Sequence, residues 1–179
     1  MPALEIATLG GGCFWCTEAV FSALTGVQKV IPGYTGGHID QPDYKSVCSG
    51  TTGHAEAIEI HYDPAQISFE TLLLVFFATH DPTTLNRQGH DIGTQYRSVV
   101  YYHNPAQQKI LQDTIRQLTE EGIYDQPIVT ECAAATTFYA AEAYHHAYYA
   151  QNPYQPYCQA VISPKLYKLQ KRYQHLLRR

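Results

Sequence analysis

Apolar and polar residues alternate most clearly over Ala55–Tyr62. Ile58 and Ile60 share one face and Glu59 and His61 the other, so a strand is predicted there. Apolar runs at 4–9, 27–34, 97–102 and 128–132 read as further short strands. Pro32 and Gly33 predict an irregularity in the second of these. A helix is predicted over 14–24, ending near Gly26. Another runs from a Ser68 cap to Thr79, and Leu72, Leu73, Val75, Phe76 and Phe77 make it a buried one. Pro105 opens a third with a polar face, and Gly122 stops it. The tyrosine-rich stretch 139–150 reads as helical.

Between these elements, 36–43 is a loop rich in Gly, Asp and Pro, and 44–50 has room for one helical turn. Residues 81–95 show little periodicity and read as a long loop, a kind of segment that often carries function. Pro153 and Pro156 stand too close together for regular structure over 152–158. The last helix begins near Ser163 and Pro164, with Leu166, Leu169, Tyr173 and Leu176 at helical spacing. The order of elements points to a mixed sheet with helices packed on it.

The chain of 179 residues can bury one substantial core, so a single domain over 1–179 is expected. Apolar residues make up 45% and charged residues 16%, a globular balance rather than a disordered one. No apolar run is long enough to span a bilayer, and the N-terminus shows no basic or long apolar leader. A cytoplasmic protein without membrane attachment is therefore expected. Charge is uneven: all 16 acidic residues lie at or before Glu142, while six of the 12 basic ones lie from Lys165 onward. That basic tail, 164–179, reads as an amphipathic helix docked on an acidic body rather than as a nucleic-acid arm. The five cysteines are an odd number, which argues for catalytic or metal-binding thiols over a disulfide framework.

Chemistry concentrates in Gly10-Gly11-Gly12-Cys13-Phe14-Trp15-Cys16-Thr17-Glu18. Three glycines allow a sharp turn between strand and helix. Cys13 then falls at the helix N-terminus, where free N–H groups and the helix dipole favour thiolate, the reactive form of cysteine. Phe14 and Trp15 beside it suit a substrate with a small apolar end. Cys13-x-x-Cys16 also has the spacing of a general thiol–disulfide oxidoreductase, and with histidines it could serve a zinc-binding module. Haem attachment fails because Thr17 stands where His is needed. His54-Ala55-Glu56 matches half of a zinc-deaminase motif, but no Pro-Cys-x-x-Cys follows it.

Gly-Cys-Phe-Trp-Cys-Thr-Glu-Ala resembles the signature of the peptide methionine sulfoxide reductase A family. Four more stretches match that family in order: Tyr44 to Glu56, Gly89 to Arg97, Phe138 to His145, and Asn152 to Cys158. The resemblance implies an α+β fold of ferredoxin-like type with additions. It implies reduction of the S epimer of methionine sulfoxide, free or in oxidised proteins, with thioredoxin as reductant and no metal or organic cofactor. Carried onto this chain, it marks Tyr44, Glu56, Asp91 and Tyr96 as site residues and Cys158, on a mobile segment, as the resolving thiol. Cys16 is its rival or a second relay thiol.

On that reading the Cys13 thiolate attacks the sulfoxide sulfur, while Phe14 and Trp15 hold the S-methyl group. Glu56 protonates the oxygen, which requires its pKa to be raised. Tyr44 and Tyr96 donate hydrogen bonds to that oxygen, and Asp91 orients water or a tyrosine. Cys13 becomes sulfenic acid before a second thiol condenses with it. Cys48 and Cys132 read as packing residues, and the Phe138–His145 stretch as architecture near the site. The chain departs from many members in having Cys16 where Gly is common, and no cysteine over 159–164.

Overall fold

The computed structural model describes residues 3–178. Its centre is β1 (Glu5–Gly10), α1 (Phe14–Ser22), β2 (Val27–Thr35), β3 (Ala55–Tyr62), α3 (Phe69–Thr79) and β6 (Val99–Tyr102), with the short α2 (Tyr44–Cys48) between β2 and β3. These four strands lie side by side as β6-β1-β3-β2, and every neighbouring pair is antiparallel. This β-α-β-β-α-β arrangement is ferredoxin-like. The expected α+β class is thus observed, and the sheet is mixed because one added strand pairs with β6 in parallel.

Additions complete it. A two-residue hairpin, β4 (Arg87–Gln88) and β5 (Asp91–Ile92), folds the loop after α3. Beyond β6 come α4 (Pro105–Glu120), β7 (Glu131–Ala134), β8 (Phe138–Ala140), α5 (Tyr148–Gln151) and α6 (Ser163–Tyr173). β7 joins the β6 edge in parallel, and β8 joins the β2 edge. The core lies between sheet and helices, where Leu9, Ile58 and Ile60 meet Phe21, Leu72, Leu73 and Phe76. No helix among the described residues is long and apolar enough to cross a membrane.

Several expectations give way. The strand expected at 128–132 lies later, at Glu131–Ala134, because Val129 is spent bonding to the Pro82 carbonyl. Cys132 is exposed rather than buried, since β7 is an edge strand. The helix expected over 139–150 begins as strand β8. It pairs with Gly33, where a Cβ would stand 2.4 Å from the Tyr139 carbonyl oxygen, so only glycine admits it. The irregularity expected at Pro32 and Gly33 sits instead between Val27 and Lys29.

Residues 152–158 are less irregular than two prolines suggested. Helical backbone starts at Pro156, where the first turn needs no N–H from proline. The Gln155 side chain caps that start by accepting from the Tyr157 and Cys158 N–H groups. A π-helical turn, Cys158–Ile162, then leads directly into α6. The C-terminal helix ends at Tyr173, followed by a 3-10 turn, and Arg179 lies outside the described residues, as do Met1 and Pro2. α6 docks through Leu169, with Leu166 and Tyr173 packed on the core, and enters no ion pair among the described residues. Its attachment is apolar rather than electrostatic.

Candidate active site

The site forms where β1 hands the chain to α1. Gly12 takes φ +92°, a left-handed conformation that favours glycine, and lets Cys13 cap the helix. Antiparallel pairing of β1 with β3 brings Glu56, near the start of β3, to the same end of the sheet. Period-two alternation puts Glu56 on the face of Ile58 and Ile60, so it points into the core and is 1% exposed. Its Oε1 accepts the Phe14 N–H at 3.1 Å, and its Oε2 is buried without a partner. Burial raises the Glu56 pKa to about 8, against the pull of the Phe14 N–H. A carboxyl so placed keeps its proton at neutral pH and can give it up.

The two thiols form a buried pair. Cys13 is pushed well above the usual thiol range by burial, by its hydrogen bond to Cys16 and by the Glu56 charge. Cys16 is lowered to about 7, chiefly by the neighbouring Cys13 thiol, with help from the Lys165 ammonium and against burial. The N-cap position of Cys13 is as expected, and loss of water and a neighbouring carboxyl work against the partial helix charge there.

Aromatic side chains wall the site. Trp15 stacks on Tyr148 with ring centres 3.9 Å apart, meets Tyr157 edge-on at 5.9 Å and faces Tyr44 at 6.4 Å. Its indole N–H donates to His145 Nδ1 at 3.0 Å, so that nitrogen carries the lone pair and the ring is neutral. Burial lowers the His145 pKa, in keeping with this. Phe14 has no exposed surface and packs against Tyr34 and His145, while Trp15 keeps part of its surface. Of the two expected substrate-binding rings, Trp15 is the accessible one and Phe14 backs it.

Tyr44 opens α2, whose capping box on Asp43 and Ser46 fixes the turn. Its backbone N–H donates to Glu142, which also accepts from the Tyr34 hydroxyl at 2.8 Å. Tyr96 sits half-buried in a 3-10 turn, and Arg97 ties that turn down by donating to the Thr94 and Gly53 carbonyls. Burial and the Glu56 charge raise both tyrosine pKa values, so each hydroxyl stays a donor. Asp91 on β5 accepts from the Tyr157 hydroxyl at 2.6 Å, and that oxygen lies 3.7 Å from Cys16 Sγ. A cavity of about 130 Å³ is lined by Cys13, Cys16, Asp91, Tyr157, Val161 and Lys165.

Cys158 has no exposed surface. It is held in the π turn rather than on a loose segment, and it is the neighbouring side chain, Tyr157, that reaches the thiol pair. Cys48 is exposed, with the Tyr44 and Tyr96 hydroxyls beside its thiol. Sequence reasoning missed Tyr157, Tyr148, Glu142 and Lys165. A density of tyrosines over 139–157 was the one signal of an aromatic wall. Glu18 was quoted only as part of the motif. It is buried and accepts the Ala147 N–H, which anchors the start of α5 and with it Tyr148.

The peptide methionine sulfoxide reductase family model matches residues 5–177. The chain is 59% identical over 174 residues to a peptide methionine sulfoxide reductase MsrA of Chromobacterium violaceum, covering 97% of this chain and 99% of that one. It is 56% identical to its namesake from Deinococcus radiodurans, covering 98% and 85%. Among solved structures, reduced Mxr1 from Saccharomyces cerevisiae superposes with a TM-score of 0.81 at 35% identity, covering 87% of this chain and 89% of that one. Methionine sulfoxide reductase A of Corynebacterium diphtheriae gives 0.74 at 34% identity, covering 87% and 79%. A thiol pair under a protonated carboxyl, walled by aromatic rings, is what reduction of an alkyl sulfoxide by thiols requires, and with these likenesses the chain belongs to the peptide methionine sulfoxide reductase family.

Proposed function

We propose that this chain reduces the S epimer of methionine sulfoxide, free or in oxidised proteins, with Cys13 as nucleophile. The observation that carries the reading is the buried Glu56 carboxyl beside Cys13, with one oxygen unpartnered. Cys13 sulfur attacks the sulfoxide sulfur as Glu56 protonates the oxygen. Tyr44 and Tyr96 donate hydrogen bonds to that oxygen, and Trp15, backed by Phe14, holds the S-methyl group. The S–O bond of the substrate is lost, methionine leaves, and Cys13 carries the oxygen as sulfenic acid.

A second thiol then condenses with the sulfenic acid, forming a disulfide and releasing water. The place of Cys16 in the helical turn that Cys13 opens and in the same cavity, and the burial of Cys158 in a helical turn, favour Cys16 as the first resolving thiol. That reverses the order implied by the resemblance. Cys158, whose thiol feels the Cys16 charge, is the next thiol in line to take over the disulfide. A dithiol reductant of thioredoxin type closes the cycle and leaves as its own disulfide. Mxr1 in complex with Trx2, 24% identical with a TM-score of 0.58, is a fold relative captured with such a partner. Five free thiols suit a reducing compartment such as the cytoplasm.

The test is incubation of the purified protein with dithiothreitol and each epimer of a methionine sulfoxide peptide, beside Cys13→Ser. The expected result is consumption of the S epimer alone, lost in the variant. Consumption of neither would discard the reading and leave insulin reduction and zinc content to be measured. Consumption of the R epimer would keep the chemistry and overturn the stereochemistry.

A further inference from the structure

The Tyr157 hydroxyl stands between two groups of opposite need. It donates its single proton to Asp91 Oδ2 at 2.6 Å, and its oxygen lies 3.7 Å from Cys16 Sγ. With its proton committed to Asp91, the oxygen can only accept from the Cys16 S–H. Asp91 shares its cavity with both Cys13 and Cys16. The side chain arrives there because the chain turns helical at Pro156 and widens into a π turn just after Tyr157.

We propose that Tyr157 and Asp91 form a proton relay that serves the second thiol step. Tyr157 Oη takes the Cys16 S–H proton as it passes its own to Asp91. The Cys16 sulfur attacks the Cys13 sulfenic acid, the S–S bond forms and the S–O bond breaks. Asp91 returns the proton to the departing hydroxide, so water leaves and the relay is reset. Cys13 sulfur is reduced and Cys16 sulfur oxidised by one formal unit each, with no outside reagent. The relay rests on the reading that Cys16 is the first resolving thiol.

The step needs such help because Cys16 is buried, and a buried thiol gives up its proton less readily than one in water. The titratable groups around Cys16 are Cys13, Glu56, His80, His90, Asp91, Tyr157, Cys158 and Lys165, and of these it is the Lys165 ammonium that favours the Cys16 thiolate by charge. His80 is buried and neutral, lowered to about 4. Lys165 favours the thiolate by charge but is not hydrogen-bonded to the sulfur, whereas Tyr157 is.

The test follows the disappearance of sulfenic acid, trapped at intervals with a cyclic 1,3-dione, after one equivalent of methionine sulfoxide. Wild type, Tyr157→Phe, Asp91→Asn, Cys16→Ser and Cys158→Ser are compared from pH 6 to 9. Tyr157→Phe keeps the ring that meets Trp15, and Asp91→Asn keeps an acceptor that cannot take a proton. Both are expected to close the disulfide roughly tenfold or more slowly below pH 7, with the gap shrinking above pH 8 as Cys16 ionises unaided. Cys16→Ser is expected to hold its sulfenic acid at every pH, and Cys158→Ser to lose it as wild type does. Wild-type closure in Tyr157→Phe, or a gap independent of pH, overturns the relay and leaves Cys16 as resolving thiol. Sulfenic acid persisting in Cys158→Ser but not in Cys16→Ser overturns the reading on which the relay stands.

Discussion

The Phe14 N–H donates to Glu56 Oε1 at 3.1 Å, while Glu56 Oε2 is buried with no partner. One oxygen is thereby fixed, and the proton of the neutral acid belongs on the other. The residue that holds the carboxyl is the one after the nucleophile. Acid and thiol are thus tied through the backbone, and the acid's aim depends on the first turn of α1.

Glu56 sets a pH limit on both rate and stability. Its proton is available below a pKa of about 8 and lost above it, so methionine release in a single turnover should fall as pH rises through 8. Glu56→Gln should slow that release 10²-fold or more, on the order expected for loss of a general acid, and flatten the profile. The stability sign follows from the same shift. A carboxyl raised from 4.5 to about 8 contributes fully below pH 4.5, and that contribution is lost as pH climbs to about 8. Urea unfolding should therefore show Glu56→Gln gaining on wild type by about 1.4 kcal/mol per pH unit across that window. A constant difference would mean that Glu56 is ionised throughout.

The charge on the thiol pair can be seen directly. Thiolate absorbance near 240 nm should rise through a transition near pH 7 in the reduced wild type, and that transition should be missing in Cys16→Ser. Its survival in Cys16→Ser and loss in Cys13→Ser would instead make Cys13 the resting thiolate.

Trp15 should act on binding more than on turnover. Trp15→Phe keeps an apolar ring but forfeits the N–H bond to His145 and part of the stack on Tyr148. With aromatic pairs worth about 0.5–1.5 kcal/mol, KM should rise roughly three- to tenfold while kcat changes less. A fall in kcat at constant KM would show that the indole positions the reacting atoms instead.

Gly12 tests the turn itself. At φ +92°, a Cβ would stand 2.7 Å from Gln88 Cγ, so Gly12→Ala strains the backbone and pushes on the β4–β5 hairpin. A loss of about 1–3 kcal/mol in urea unfolding is expected, with slower methionine release because the shifted turn moves Cys13 away from Glu56. Unchanged stability would mean that the turn relaxes freely.

The part of the fold that pattern reveals is the part whose stability is local or periodic. Alternation over Ala55–Tyr62, the apolar run inside α3 and the Ser68 cap all stand as expected. β8 is an exception with a specific cause: three residues become strand because Gly33, far back in the chain, leaves room for them. Glu56 lay within reach of the same alternation, since two steps back from Ile58 lands on the core face. A charged residue at a strand start reads as solvated until something argues otherwise.

The chain's own order of residues was enough to determine the turn before Cys13 and the family, and to mark Cys13, Glu56, Asp91, Tyr44 and Tyr96 as candidates. Only the tertiary structure decided that Glu56 is buried with one oxygen unpartnered, that Cys158 sits in a π turn, and that Tyr157 reaches between Cys16 and Asp91. The reason is physical. Helix starts, turns and strand faces depend on neighbours within a few positions. A pKa or a hydrogen bond in the core depends instead on water excluded and dipoles supplied by segments 40 to 152 residues apart, as Glu56, Asp91, Tyr157 and Lys165 are from Cys13 and Cys16.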